Sequence, residues 1–363
     1  MSKKTGLRLK TILFGIITLF FSAVYVENDL SANGVEAAKD FSQSSSEIVM
    51  EMNSKRVLYA NNIHEKKYMA STTKILTAIV IIENCNLNAV VTVGKNTTGI
   101  EGSSIYLEEG ETLTVTDLLY GLMLRSGNDC AETLAVFCSG SIEKFAALMN
   151  ETAKKIGALN SNFVNPHGLN NENHYTTAYD LALISCYAMQ NADFREIVST
   201  KKKVIPFTTR NTKRLLINKN KLLSDFDGAN GIKTGFTKKA GRCLVGGSNR
   251  NGMQLISVVL NCPPMFERSK TILENAFNEY SMVKIVESDN IIDFIPNVFG
   301  EKIGVHIKND VVLPLTESER KSVRIEYELP KTLESETPND KEIGEVKIYC
   351  ENNLIFTEKI YTI

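Results

Sequence analysis

Ser71 and Lys74 stand three residues apart in the stretch YMASTTKILTA, residues 68–78, just ahead of the apolar Ile75, Leu76, Ile79 and Ile82. On a helix, positions i and i+3 share a face, so the lysine amine can reach the serine hydroxyl. A serine hydroxyl is a weak nucleophile at neutral pH and needs a base to take its proton. A lysine can serve if it is neutral, and burial together with a neighbouring cation depresses its pKa in that direction. One Ser-x-x-Lys is short enough to arise by chance, so the reading depends on companions elsewhere. Ser126-Gly127-Asn128 follows in LRSGNDCAE, between the end of one helix and the start of the next. Lys233-Thr234-Gly235 follows in GIKTGFT, on a strand.

Each companion alone is ordinary loop or strand-end sequence, but together they supply the parts of an acyl transfer. Ser126 is suited to pass a proton to a leaving nitrogen. Asn128 can bond a substrate amide while holding Lys74, and Lys233 with Thr234 suits a terminal carboxylate. Gly235 lets a substrate backbone approach closely. The Ser71 N–H, at a helix N-terminus that favours developing negative charge, can form an oxyanion hole with a backbone N–H at Phe236. Substrate would lie extended along the strand edge.

The ordered set S-x-x-K, S-x-N, K-T-G marks penicillin-binding proteins and class A β-lactamases. MASTTKILTA, EGSSIYLEEGE, DLLYGLMLRSGNDCAETLA, FVNPHGLNNENHYTTAYDLA and GIKTGFT closely resemble the D-alanyl-D-alanine carboxypeptidases among the low-molecular-mass penicillin-binding proteins. The likeness covers residues 45–282 closely and the remainder more loosely. It implies a β-lactamase/transpeptidase-like fold. It also implies an exported enzyme that removes the terminal D-alanine of peptidoglycan stem pentapeptides through an acyl-enzyme on Ser71, with Lys74 as base. Penicillin would acylate the same serine. By the same likeness Arg268, in FERSKTILENAF, is associated with carboxylate recognition, and Arg242 is its rival.

Departures from the family pattern are few: Lys55 stands where glycine is frequent, and Phe236 where some members carry histidine. Asn218 and Asn220 match an N-x-N-x-L-L approach to the third motif and read as scaffold. Three other functions stay open at this level. A β-lactamase of class A would carry an E-x-x-L-N stretch, which is missing between Asn128 and Lys233. A D,D-endopeptidase would use the same residues on cross-links. A non-catalytic wall-binding module would not need to keep the base.

The formal net charge of −1 over 363 residues gives no electrostatic reason to expect nucleic acid. Lys3, Lys4, Arg8 and Lys10 precede the uncharged TILFGIITLFFSAVYV, an export-signal pattern. That run is shorter than the roughly 20 residues of a comfortable span, yet could anchor the chain at a membrane surface. The last strand ends the sequence without an amphipathic helix, so attachment would rest on the N-terminal segment, or the protein would be released. Seven cysteines show no C-x-x-C spacing and do not cluster with the four histidines, so neither metal nor cofactor is expected. His64, His167, His174 and His306 read as turn or packing residues, and Lys201–Lys203 as a solvated face.

The positioning elements follow from periodicity. Residues 47–60 read as two strands about a turn at Asn53–Lys55. Thr114-x-x-Asp117 and Thr177-x-x-Asp180 are helix-start spacings, with Asp180 expected to cap, and helices should dominate from 70 to 200. GIKTGFT, RCLVGGS and MQLISVVL read as antiparallel strands, the last two joined at Asn251–Gly252. A helix then crosses RSKTILENAFNEY. Beyond it SVRIEYEL alternates, with Val323, Ile325, Tyr327 and Leu329 on one face, and EVKIYC and LIFTEKIYTI meet at Asn352–Asn353. The expected plan is a leader over 1–39, an α+β domain over 40–282 with an antiparallel sheet and helices, and an all-β sandwich-like domain over 283–363.

Overall fold

The computed structural model describes residues 44–288, 290–334 and 337–363, so the expected leader lies outside the described residues. Strand β1 (Ser46–Glu51) is buried at every position, and β2 (Val57–Asn61) returns beside it as the two-strand reading expects. Helix α1 (Lys74–Asn84), the short pair β3 (Val90–Thr92) and β4 (Thr112–Thr114), then α2 (Val115–Leu124), α3 (Asn128–Ser139), α4 (Ile142–Ile156), α5 (Ala178–Ala188) and α6 (Ala192–Ser199) follow. The chain next forms β5 (Lys202–Phe207), β6 (Thr212–Ile217) and the short α7 (Leu222–Asp225). Strands β7 (Ala229–Thr237), β8 (Gly241–Arg250) and β9 (Met253–Leu260) and helix α8 (Met265–Glu279) complete this part.

The principal sheet runs β2-β1-β9-β8-β7, antiparallel throughout. Its central strands are apolar on both faces because helices cover both. Ile48, Met50, Ile256 and Val258 face the cluster that holds α1 and α2. Val49, Leu255 and Val259 face the cluster that holds Ile272 and Leu273 of α8. Side chains alternate with period two along a strand, so adjacent residues serve the two cores in turn. Asn251 and Gly252 both take positive φ, 50° and 80°, as a two-residue hairpin between β8 and β9 demands.

The helix starts follow the sequence in part. Thr114 and Asp117 form a reciprocal capping box. Thr177 accepts from the Asp180 N–H, but the Asp180 carboxylate does not return to the cap as expected. It accepts from Asn160 N at 2.7 Å and Ser161 Oγ at 2.8 Å, tying the preceding loop down. The β5–β6 hairpin was not visible in the sequence, because only Ile205 and Leu216 of its residues are fully buried and the alternation is thin. Lys202 and Lys203 are exposed or half-buried on it, with Lys203 Nζ 4.4 Å from the centre of the Tyr120 ring.

The C-terminal part contains β10 (Ser281–Val286), β11 (Asp293–Pro296), β12 (Lys302–His306), β13 (Val311–Leu315), α9 (Glu317–Ser322), β14 (Arg324–Glu328), β15 (Glu342–Cys350) and β16 (Asn353–Thr362). β10 pairs with β13, and a second sheet runs β11-β12-β16-β15-β14. Their shared core includes Val305, Leu313, Val346, Ile348 and Ile360. The α+β body followed by an all-β part is the arrangement the sequence indicated. Two details differ. Val323, Ile325 and Leu329 pack on this core while Tyr327 stays 45% exposed. The β15–β16 turn takes its positive φ at Glu351 and Asn352, one residue earlier than expected. Arg56 joins the two parts, pairing with Glu319 and donating to Pro314 O.

One contact docking the β5–β6 hairpin is Arg214, whose guanidinium engages the fully buried Glu111 with both nitrogens, one at 2.8 Å. Removing one member of a buried pair leaves the other charge uncompensated, at a cost of about 3 to 5 kcal/mol. Arg214→Met is expected to lower stability by about that amount in urea unfolding, and adding Glu111→Met to recover much of the loss. Equal stability of wild type and the single variant would remove the pair from any docking role.

Candidate active site

Ser71 lies in a short 3₁₀ turn, Ala70–Thr73, that runs directly into α1 at Lys74, so the first turn is tighter than the α-helical start expected. In a 3₁₀ turn, side chains at i and i+3 nearly eclipse, which brings Lys74 Nζ to 3.2 Å from Ser71 Oγ. Lys74 has no exposed surface. Its amine also lies 2.7 Å from Asn128 Oδ1 and 2.7 Å from the His167 carbonyl. A neutral amine has two N–H donors and one lone pair. The two fixed acceptors take the donors, and the lone pair is left for the Ser71 O–H.

Burial drives the Lys74 ammonium well below an ordinary lysine, and the charge of Lys233 pushes the same way. Lys233 is itself buried and brought down to about 7, with Lys219 adding to the burial effect. Its Nζ donates to the Thr234 carbonyl at 2.8 Å. Gly235 is where β7 crosses the serine turn. A Cβ there would stand 3.1 Å from Met69 O and 3.2 Å from Ser71 N, a close fit in which the serine turn would have to give by a few tenths of an ångström.

Ser126 joins α2 to α3 with a positive φ of 65°. That conformation is costly for a residue with a Cβ and is concentrated at functional sites. Its Oγ is buried and has no hydrogen-bond partner among the described residues. Asn128 begins α3, and its amide group donates to Glu101 O at 2.5 Å while its oxygen accepts from Lys74. The neighbouring Asp129 is fully buried and accepts from Ser104 Oγ, Ile105 N and Leu107 N, pinning the facing loop.

Ser71, Ser126, Thr234, Gly235 and Phe236 line one cleft of about 440 Å³, together with Ser103, Lys219, Lys221, Arg242, Met265 and Phe266. Asn128 and Lys233 stand behind this lining through the contacts above. Arg268 does not line it. Its guanidinium is held by Glu47 at 2.7 and 2.8 Å and by the Tyr59 hydroxyl at 2.6 Å. Burial raises the Glu47 carboxyl, but the bonds from Arg268, Ser45 and Tyr59 outweigh it and hold the group below the ordinary range. The structure therefore puts Arg242 at the cleft and Arg268 in an ion pair at the β1–α8 contact.

Two of the four histidines, His167 and His174, adjoin the site. His174 Nδ1 accepts from Val164 N at 3.1 Å, leaving the Nε2 proton to meet Thr73 Oγ1 at 2.8 Å. Burial holds this ring neutral, with its pKa pushed down to about 3. His167 is lowered by burial while Glu132, 3.2 Å from its Nε2, opposes that. Sequence reasoning missed Lys219, which donates to Ser103 Oγ at 3.1 Å, although it sits between the two asparagines already singled out. Asp129 and the His167 carbonyl were missed too. The former adjoins the second motif, and the latter carries no side-chain signature at all.

A profile of the D-alanyl-D-alanine carboxypeptidases matches residues 33–263, and one of the penicillin-binding protein 5 C-terminal domain matches residues 280–363. The chain belongs to the D-alanyl-D-alanine carboxypeptidase family. It is 32% identical over 281 residues to the D-alanyl-D-alanine carboxypeptidase DacF of Bacillus subtilis, covering 75% of this chain and 71% of that one. The DacC carboxypeptidase of Escherichia coli is 34% identical over 72% of this chain and 68% of its own. Penicillin-binding protein 5 from Haemophilus influenzae superposes with a TM-score of 0.78 at 28% identity, over 91% of this chain and 98% of that structure. The protein is a serine-type carboxypeptidase with a penicillin-binding-protein fold.

In this carboxypeptidase the loop Asn165–Gly168 presses on the serine turn, and Gly168 has φ +91°. A Cβ at Gly168 would meet Ala70 O at 1.9 Å, so the turn or the loop must move. A displacement of about 1 Å at a reacting group costs on the order of a hundredfold. Gly168→Ala is accordingly expected to slow D-alanine release by roughly that factor. Near-wild-type kcat/KM with an unchanged melting temperature would show that this contact does not set the position of Ser71.

Proposed function

We propose that the protein is an exported D,D-carboxypeptidase that trims the terminal D-alanine from peptidoglycan stem pentapeptides by way of an ester on Ser71. The observation that carries the reading is the environment of Lys74: its buried amine lies 3.2 Å from Ser71 Oγ and 2.7 Å from both Asn128 Oδ1 and the His167 carbonyl. In its neutral form those two acceptors would take its N–H donors and leave a lone pair for the serine proton. In the first step Lys74 takes the Ser71 proton as Oγ attacks the carbonyl carbon of the penultimate D-alanine. The oxyanion is met by the backbone N–H groups of Ser71 and Phe236. Collapse breaks the C–N bond, and the proton held by Lys74 passes by way of the Ser126 hydroxyl to the departing amine of D-alanine. Water then attacks the ester, Lys74 again acting as base, and releases the shortened peptide with Ser71 restored.

Lys233 and Thr234 bind the terminal carboxylate in this scheme, and Lys219 adds positive charge at the same cleft. A β-lactam, whose ring carbonyl is strained and whose carboxylate suits the same cations, would acylate Ser71 and leave slowly. Outside the cytoplasm, the N-terminal basic and apolar segment is the means of export and of attachment to the membrane surface.

Intact-mass measurement after incubation with benzylpenicillin tests the ester. One penicilloyl group is expected on the wild type and none on Ser71→Ala. Fast penicillin turnover with no lasting adduct would instead make the protein a β-lactamase, and neither adduct nor turnover would leave a wall-binding module. The pH profile tests the base. Protonated Lys74 cannot accept the serine proton, so acylation rises with pH through the Lys74 pKa. Because the Lys233 charge depresses that pKa, Lys233→Met should move the rising limb to higher pH. A limb that stays in place would assign it to another group.

A further inference from the structure

Arg242 lines the Ser71 cleft and has no acidic partner among the described residues. It lies directly across from Phe236 in the β7–β8 register. Its guanidinium carbon is 4.7 Å from the centre of the Phe236 ring, which is 55% exposed. Arg214, Arg250 and Arg268, by contrast, pair with Glu111, Glu274 and Glu47. No residue lining the Ser71 cleft is acidic. Among the described residues, the cleft lining thus presents a guanidinium beside the Phe236 ring and no carboxylate.

Strand direction says which part of a substrate meets this cation. Lys233 and Thr234 precede Gly235 on β7, and Phe236 and Thr237 follow it. A peptide paired antiparallel to β7, with its terminal carboxylate at Lys233–Thr234 and its scissile carbonyl at Ser71, carries its earlier residues past Phe236. Resting on the proposed carboxypeptidase function, we propose that Arg242 is an anion subsite for the residue just before the D-Ala-D-Ala pair, selecting stem peptides whose side chain there bears a free carboxylate. A guanidinium matches a carboxylate with two parallel donors, a geometry that neither a carboxamide nor an amine can return. Stacking on Phe236 holds the group in place before substrate arrives, so less freedom is lost on binding. The side chain is exposed to solvent, so the preference is moderate, roughly three- to tenfold, and falls with added salt.

The test compares D-alanine release from acetyl-L-glutamyl-, acetyl-L-glutaminyl- and acetyl-L-lysyl-D-alanyl-D-alanine, read as ratios of kcat/KM within each protein. Wild type should favour the glutamyl peptide over the glutaminyl one. That ratio should drop to about one in Arg242→Gln, survive largely in Arg242→Lys and turn toward the lysyl peptide in Arg242→Glu. A merely structural role would slow all three peptides together and leave the ratios alone. Equal rates on all peptides by wild type, or a glutamyl preference that persists in Arg242→Gln, would overturn the subsite while leaving the carboxypeptidase intact. Release from none of them, with no penicilloyl adduct, would overturn both.

Discussion

The site depends on an amine that is held out of water. Lys74 has no exposed surface, and an isolated ammonium in that position would be far too costly to keep charged. The structure meets this by supplying two neutral acceptors, Asn128 Oδ1 and the His167 carbonyl, rather than a carboxylate. Two neutral acceptors satisfy a neutral amine, whereas a carboxylate would stabilise the ammonium and destroy its basicity. The acidic group on the adjacent residue, Asp129, spends its oxygens on the 104–107 loop instead.

Holding Lys74 this way requires three chain segments to converge on one nitrogen, and most of the special backbone near the site serves that convergence. Gly168 allows the 165–168 loop to touch the serine turn, and Gly235 allows β7 to cross it. Ser126 adopts a left-handed conformation so that the α2–α3 junction presents its hydroxyl while Asn128 starts the next helix. His174, neutral and fixed by Val164 N, supports Thr73 from behind. The apolar sheet and α1 provide the rigid frame, since helices on both sheet faces leave the central strands no solvent to relax into.

Charge is sorted across the cleft by the same economy. Lys219, Lys221 and Arg242 line the cleft with the serine and Lys233 stands behind it, while the acidic partners Glu47, Glu111 and Glu132 are committed to ion pairs or a histidine. The mutual repulsion of Lys233 and Lys74 lowers the amine that must act as a base, and the residual positive field suits a substrate that ends in a carboxylate. Arg268 and Arg242 are placed differently by the fold. Arg268 follows the site motifs at a suggestive distance, yet Glu47 on β1 claims it, and Arg242 on β8 is the arginine that reaches the cleft.

The sequence by itself determined the three motifs, and through them the family, the α+β class, the capping box at Thr114 and the two-residue turn at Asn251–Gly252. Those features rest on local chemistry: residue type, spacing of three, alternation of two. Tertiary structure alone decided the rest. The β5–β6 hairpin buries only Ile205 and Leu216 fully, too few to write a periodic pattern. The His167 carbonyl that completes the Lys74 environment is a backbone atom every residue possesses, and only the fold brings it there. Asp180 was expected to cap a helix and instead ties a loop, because a carboxylate accepts from whichever donors packing delivers. The depressed pKa of Lys74 belongs to this second group, since burial and the charge of Lys233 lower it and neither is written beside Ser71.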